Sequence, residues 1–175
     1  DLDPESEAIV TLGSKEGLAN LASAISSPGD VILVPNPSYP IHPFGFIIAG
    51  ASVRNVPVAP DREFLAALER AVQHSVPKPI ALVVNYPNNP TGVLADLDFY
   101  GQVVDFCRRH GIFVLSDIAY AEIYYDVPPP PSILQVPGAR EIAVEFTSMS
   151  KSYNMPGWRI GFAAGNRRLI AALAR

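Results

Sequence analysis

Lys151 stands in the segment Thr147-Ser148-Met149-Ser150-Lys151-Ser152-Tyr153, directly after a short apolar run and among hydroxyl side chains. Most lysines are solvated surface charges. A lysine near other cations, or partly out of water, loses its proton more readily and adds to aldehydes as a Schiff base. Further on, Arg159 in Gly157-Trp158-Arg159-Ile160-Gly161 offers a planar fork suited to a phosphate, and Ser148 and Ser150 add hydroxyl donors. A second group, Leu12-Gly13-Ser14-Lys15-Glu16-Gly17, joins an apolar run to a helical pattern. Free N–H groups and the positive end of the dipole make a helix start a phosphate site. Gly13 allows the backbone to turn there, and Ser14 adds a hydroxyl. An ordinary helix start explains this segment equally well. The third group is Asn85-Tyr86-Pro87-Asn88-Asn89-Pro90-Thr91-Gly92, a turn by composition, in which the Asn89 amide can donate to a ligand oxygen. The fourth is Ser116-Asp117-Ile118-Ala119-Tyr120. Asp117 ends an apolar run, and a buried carboxylate needs a positive or hydrogen-bonding partner. A protonated pyridine nitrogen is one such partner, and a role as helix cap is the alternative. Tyr120, three residues on, reaches the same space.

No single group is decisive. Together they hold phosphate donors, a carboxylate for a ring nitrogen, donors for a ring oxygen and an amine for an aldehyde. That is the inventory for pyridoxal 5'-phosphate (PLP).

Other chemistries find less support. The net charge is −4 with no basic stripe, which argues against nucleic-acid binding. His42, His74 and His110 are scattered and no Cys or carboxylate stands at ligand spacing, so no metal site is expected. The one cysteine, Cys107, excludes an internal disulfide, suits a reducing compartment and reads as a small buried side chain. The longest apolar runs, such as Ile80–Val84, are too short to span a bilayer, and no secretory leader opens the chain. A cytoplasmic protein is the expectation.

The elements that must position these groups follow from periodicity. Short, often β-branched runs at Ala8–Leu12, Val31–Pro35, Ser52–Val58, Ile80–Asn85, Ile112–Ser116, Ile142–Thr147 and Ile160–Ala164 read as strands. Several are apolar on both faces, as a sheet covered on both sides requires. Helical patterns fall at Glu16–Ala24, Arg62–Val72, Leu97–Arg109 and Arg167–Leu173. Asp96 is placed to cap the third of these and Gly111 to end it. Pro128–Pro131 reads as a stiff surface loop. The alternation predicts an α/β three-layer sandwich with a mostly parallel sheet, whose ligands bind beyond the carboxyl ends of the strands. The four groups cluster at those ends.

The order Gly-Ser-Lys-Glu-Gly, Pro-Ser-Tyr-Pro, Asn-Asn-Pro-Thr-Gly, Asp-x-x-Tyr, Ser-x-Ser-Lys and Gly-Trp-Arg-Ile-Gly resembles the fold-type I PLP enzymes of aminotransferase class I/II. Within that class, Asn36–His42 and Glu145–Arg159 look most like bacterial alanine (glutamate–pyruvate) aminotransferases. The resemblance covers the whole chain and implies specific roles. Lys151 would carry the cofactor, Asp117 would pair with the pyridine nitrogen, and Tyr120 and Asn89 would bond the ring oxygen. Tyr39 would stack on the ring, while Ser14, Lys15, Ser148 and Arg159, with Ser150 beside them, would hold the phosphate. It also implies a seven-stranded sheet with Ile160–Ala164 as the one antiparallel strand. On this reading residues 1–175 are a truncated PLP-binding large domain. An N-terminal segment would precede it. A small C-terminal domain, carrying the arginine for the substrate carboxylate, would follow, so the fragment alone would be inactive. L-amino acids, preferably alanine, and 2-oxo acids would be the substrates, and a homodimer the full-length assembly. The same cofactor site serves other transaminases, β-lyases and PLP-sensing transcriptional regulators, and these motifs do not separate them.

Overall fold

A computed structural model describes all 175 residues. Seven strands form one sheet: β1 (Ala8–Thr11), β2 (Val31–Asn36), β3 (Ser52–Pro57), β4 (Pro79–Asn85), β5 (Phe113–Asp117), β6 (Ala143–Ser148) and β7 (Gly161–Gly165). Their spatial order is β1-β7-β6-β5-β4-β2-β3. Strand β7 runs antiparallel to both of its neighbours, β1 and β6, and every other pairing is parallel. The expected sheet, including its one reversed strand, is the one found. Strand boundaries differ from the expected runs by no more than one residue at either end, and Ile112, Ile142 and Ile160 fall just outside β5, β6 and β7.

The helices are α1 (Ser14–Ile25), α2 (Ile41–Ile48), α3 (Arg62–His74), α4 (Leu97–His110), α5 (Met149–Ser152) and α6 (Arg167–Leu173). The four expected helices are all present. Asp96 caps α4 by accepting the Phe99 N–H at 2.8 Å, and Gly111 ends it in the left-handed conformation. Asp61 caps α3 in the same way through the Glu63 and Phe64 N–H groups. Helix α2 was not expected. Pro40 and Pro43 bracket its start and suggest a turn, yet proline is tolerated in a first helical turn because those N–H groups have no intrahelical acceptor.

The sheet separates two apolar cores. One joins Leu33, Leu82, Val84 and Val114 to Phe64, Leu68, Phe99 and Val103 of α3 and α4. The other joins Ile32, Val83, Leu115 and Phe146 to Leu18, Leu21, Phe46 and Leu169 of α1, α2 and α6. Alternate residues of β4 and β5 thus enter opposite cores, which explains why these strands read as continuously apolar. Burying each such side chain contributes about 1.5–3 kcal/mol against leaving it in water. Cys107 is fully buried in the first core, as expected. No helix is long and apolar enough to cross a membrane.

This scaffold brings the carboxyl ends of β4, β5 and β6 to one edge. Asn85 and Asp117 stand opposite each other in the β4–β5 pairing, and Asp117 stands opposite Phe146 in the β5–β6 pairing. The start of α1 and the short α5 close over that edge.

Candidate active site

A cleft of about 210 Å³ lies at this edge. Its walls include all ten residues singled out from the sequence: Ser14, Lys15, Tyr39, Asn89, Asp117, Tyr120, Ser148, Ser150, Lys151 and Arg159. Asn85, Ala119 and Pro156 complete it.

Two sides carry phosphate-type donors. No side chain caps the first turn of α1, whose Ser14 and Lys15 line the cleft, and uncapped N–H groups at a helix start are suited to an anion. Gly13, the residue before that turn, has a φ of +85° and a ψ of 160°. A Cβ there would come within 2.6 Å of Nη2 of Arg159. The guanidinium therefore packs against bare backbone, in space that only glycine leaves open. Arg159 donates through Nη1 to Ser150 Oγ at 3.2 Å and to the Pro156 carbonyl at 3.4 Å. Its own φ of 53° is unusual outside glycine, and residues held in such conformations cluster at functional sites. Gly161 allows a second close approach, since a Cβ there would meet the Thr147 carbonyl at 2.6 Å and the Ser14 nitrogen at 2.9 Å.

The floor holds the carboxylate. Asp117 is 5% exposed and has found partners, as a buried carboxylate must. Its Oδ1 accepts the Ala119 N–H at 3.1 Å. Its Oδ2 lies 2.9 Å from Nε2 of His42, which is fully buried on α2. Nδ1 of His42 lies 2.6 Å from Ser38 Oγ. A consistent arrangement has the Ser38 hydroxyl donating to Nδ1 and the Nε2–H donating to Asp117. His42 was read from the sequence as one of three scattered histidines. Its partner is 75 residues away, and only the unexpected helix α2 brings the two together.

Asn85 is the second residue missed. It donates through Nδ2 to the Asp117 carbonyl at 2.8 Å and accepts the Asn89 N–H at 2.9 Å. Its Asp117 partner lies 32 residues on and comes near only through the β4–β5 pairing.

The open side carries the amines. Nζ of Lys151 lies 5.8 Å from the centre of the Tyr120 ring, and Nζ of Lys15 lies 5.3 Å from that of Tyr39. Both are cation–π distances. Lys151, Lys15 and Arg159 place three basic side chains around one cleft. The donor set, a carboxylate on the floor, an amine at the mouth and anion donors on two walls, fits PLP without rearrangement of roles.

The family profile of aminotransferase class I and II matches residues 1–175, the whole chain. The chain belongs to this family, whose members are PLP-dependent. It is 55% identical over 175 residues to glutamate-pyruvate aminotransferase AlaC of Escherichia coli (strain K12), covering 100% of this chain and 42% of that protein. It is 45% identical to an LL-diaminopimelate aminotransferase of Natranaerobius thermophilus, covering 100% of this chain and 45% of that protein. The substrate-bound structure of BacF from Bacillus subtilis superposes with a TM-score of 0.90 at 37% identity, covering 98% of this chain and 44% of that one. The chain thus spans less than half the length of these relatives.

Proposed function

We propose that residues 1–175 are the PLP-binding large domain of an enzyme that moves an amino group between an L-amino acid and 2-oxoglutarate, with Lys151 joined to the cofactor as a Schiff base. The observation that carries this is the meeting of Lys151 and Arg159 with Asp117 and Asn89 in one cleft, although they come from three separate segments. When bound, PLP supplies an electron sink for the charge left at the substrate Cα. The protein's part is positioning and proton transfer. Asp117, steadied by His42, holds a negative charge where the ring nitrogen would sit and so keeps a proton there. Asn89 and Tyr120 donate to the ring oxygen. Arg159, Ser14, Ser148 and the first turn of α1 anchor the phosphate, and Tyr39 covers one ring face. The Lys151 amine, when not bonded to the cofactor, would take the proton from the substrate Cα and return it to the carbon on the other side of the substrate nitrogen, two bonds away.

Alanine and 2-oxoglutarate are the preferred pair, on the likeness to the glutamate–pyruvate enzyme. A second reading, LL-diaminopimelate as amino donor, draws on the likeness to the diaminopimelate enzymes. Pyruvate release from alanine by the full-length protein, beyond one equivalent per site only when 2-oxoglutarate is present, tests the first. Glutamate formation only with LL-diaminopimelate would select the second. Repeated turnover of a donor that carries a leaving group on Cβ to pyruvate and ammonia, with no 2-oxo acid added and no turnover of alanine, would refute transamination in favour of a β-lyase. We infer that the 175-residue chain alone is inactive, that the full-length enzyme is a homodimer, and that it is cytoplasmic.

A further inference from the structure

Asn85 is the last residue of β4 and is 2% exposed. Both ends of its side chain are engaged. Nδ2 donates to the carbonyls of Asp117, at 2.8 Å, and Pro87, at 3.3 Å, while Oδ1 accepts the backbone N–H of Asn89 at 2.9 Å. The paired register of β4 with β5 ends at Asn85 and Asp117. One planar amide therefore joins the strand end that carries the carboxylate to the turn that carries the Asn89 side chain. A ring whose nitrogen and oxygen are addressed from these two places has fixed atomic separations. Its two partners must accordingly be held within about 0.5 Å of one another's proper position.

We propose that Asn85 is a positioning residue for the cofactor ring, setting the place of the Asn89 amide relative to Asp117 and thereby the hydrogen bonding of the ring oxygen. This rests on the PLP reading above. The residue touches neither the reacting atoms nor the Lys151 amine through any bond in the structure, so it acts through Asn89. A donor at the ring oxygen stabilises negative charge there. With that donor displaced, the proton on the Lys151-linked nitrogen is held to higher pH.

The test is a pH titration of the visible absorbance of the PLP-loaded holoenzyme in the parent, Asn85→Ala, Asn89→Ala and the double variant. Melting of each cofactor-free protein reports the fold separately. Asn85→Ala is expected to raise the titration midpoint by about one pH unit, a shift typical of a lost hydrogen bond to the charged form. The double variant is expected to shift no further than Asn89→Ala alone, because coupled residues do not add. An unmoved midpoint in Asn85→Ala, or a double shift equal to the sum, overturns the proposal. If Asn85→Ala does not fold, Asn85→Ser, whose shorter hydroxyl cannot reach the Asn89 N–H, makes the same comparison. A parent with no visible band beyond that of free PLP would instead refute the cofactor reading, and this inference with it.

Discussion

The same substitution at two glycines should act with opposite sign. Gly101 lies within α4, and a Cβ there would meet nothing within 4 Å. Gly101→Ala should stabilise the chain by about 0.5–1 kcal/mol, because alanine has less freedom to lose on folding. Gly13 has its φ at +85° with an extended ψ, a region essentially reserved for glycine, and forcing alanine into it costs about 1–3 kcal/mol. The new Cβ would also stand 2.6 Å from Nη2 of Arg159, so the guanidinium must swing away. A charge-assisted hydrogen bond is worth about 1.5–3 kcal/mol, and each 1.4 kcal/mol is tenfold in affinity, so PLP should bind roughly 10- to 100-fold more weakly. Urea unfolding of the cofactor-free protein reads the first effect, and PLP titration reads the second. Gly101→Ala should unfold at higher urea and bind PLP as the parent does. A Gly13→Ala variant as stable as the parent and binding PLP equally would refute both the backbone argument and the placing of Arg159 at the phosphate.

Glu145 is buried in β6 without a cation, accepting from Ser132 Oγ, Ser116 Oγ and the Ile133 N–H. Burial raises its pKa above the ordinary 4.5, and the three hydrogen bonds offset this only in part. A carboxyl whose folded pKa is raised stabilises the fold below the unfolded value and loses that contribution as pH climbs through the folded one. The stability of Glu145→Gln relative to the parent should therefore rise as pH increases from 4.5, as measured by urea unfolding across that range. An unchanged difference would show that the carboxyl titrates normally. Burial pushes the Cys107 thiol up to about 12, so a thiol reagent at neutral pH should leave it unmodified in the folded protein and label it once urea unfolds the chain. Rapid labelling of the native protein would place Cys107 outside the core. Asp61→Ala removes the cap that holds the Glu63 and Phe64 N–H groups and should cost about 1 kcal/mol in the same unfolding assay. No loss would mean that water replaces the cap fully.

What was legible in the sequence was whatever depends on near neighbours. Seven strands could be read because their β-branched runs are short and bounded by turn residues, and the helix ends at Asp96 and Gly111 because capping is local chemistry. Nine of the ten cleft residues lie in segments that could be read because they stand within a few positions of a strand end, where this kind of sheet binds ligands, whereas Tyr39 came only from the family resemblance. The direction of β7 was not readable from periodicity, which is the same for either direction, and came only from family resemblance. Helix α2 was hidden by its prolines and by lacking any side-chain cap, and with it His42. A histidine on an apolar helix carries no local sign of an aspartate 75 residues on. Asn85 was hidden for the same reason, since one of its partners, the Asp117 carbonyl, becomes near only when β4 and β5 pair.

The central claim is that Lys151 is the residue that joins PLP. It is tested most directly by the visible absorption spectrum of the purified protein after PLP is added and the excess removed, measured beside Lys151→Ala. The account predicts a retained Schiff-base band in the parent that borohydride traps as a covalent adduct at Lys151, and no such band in the variant. Identical spectra from the two proteins would contradict it.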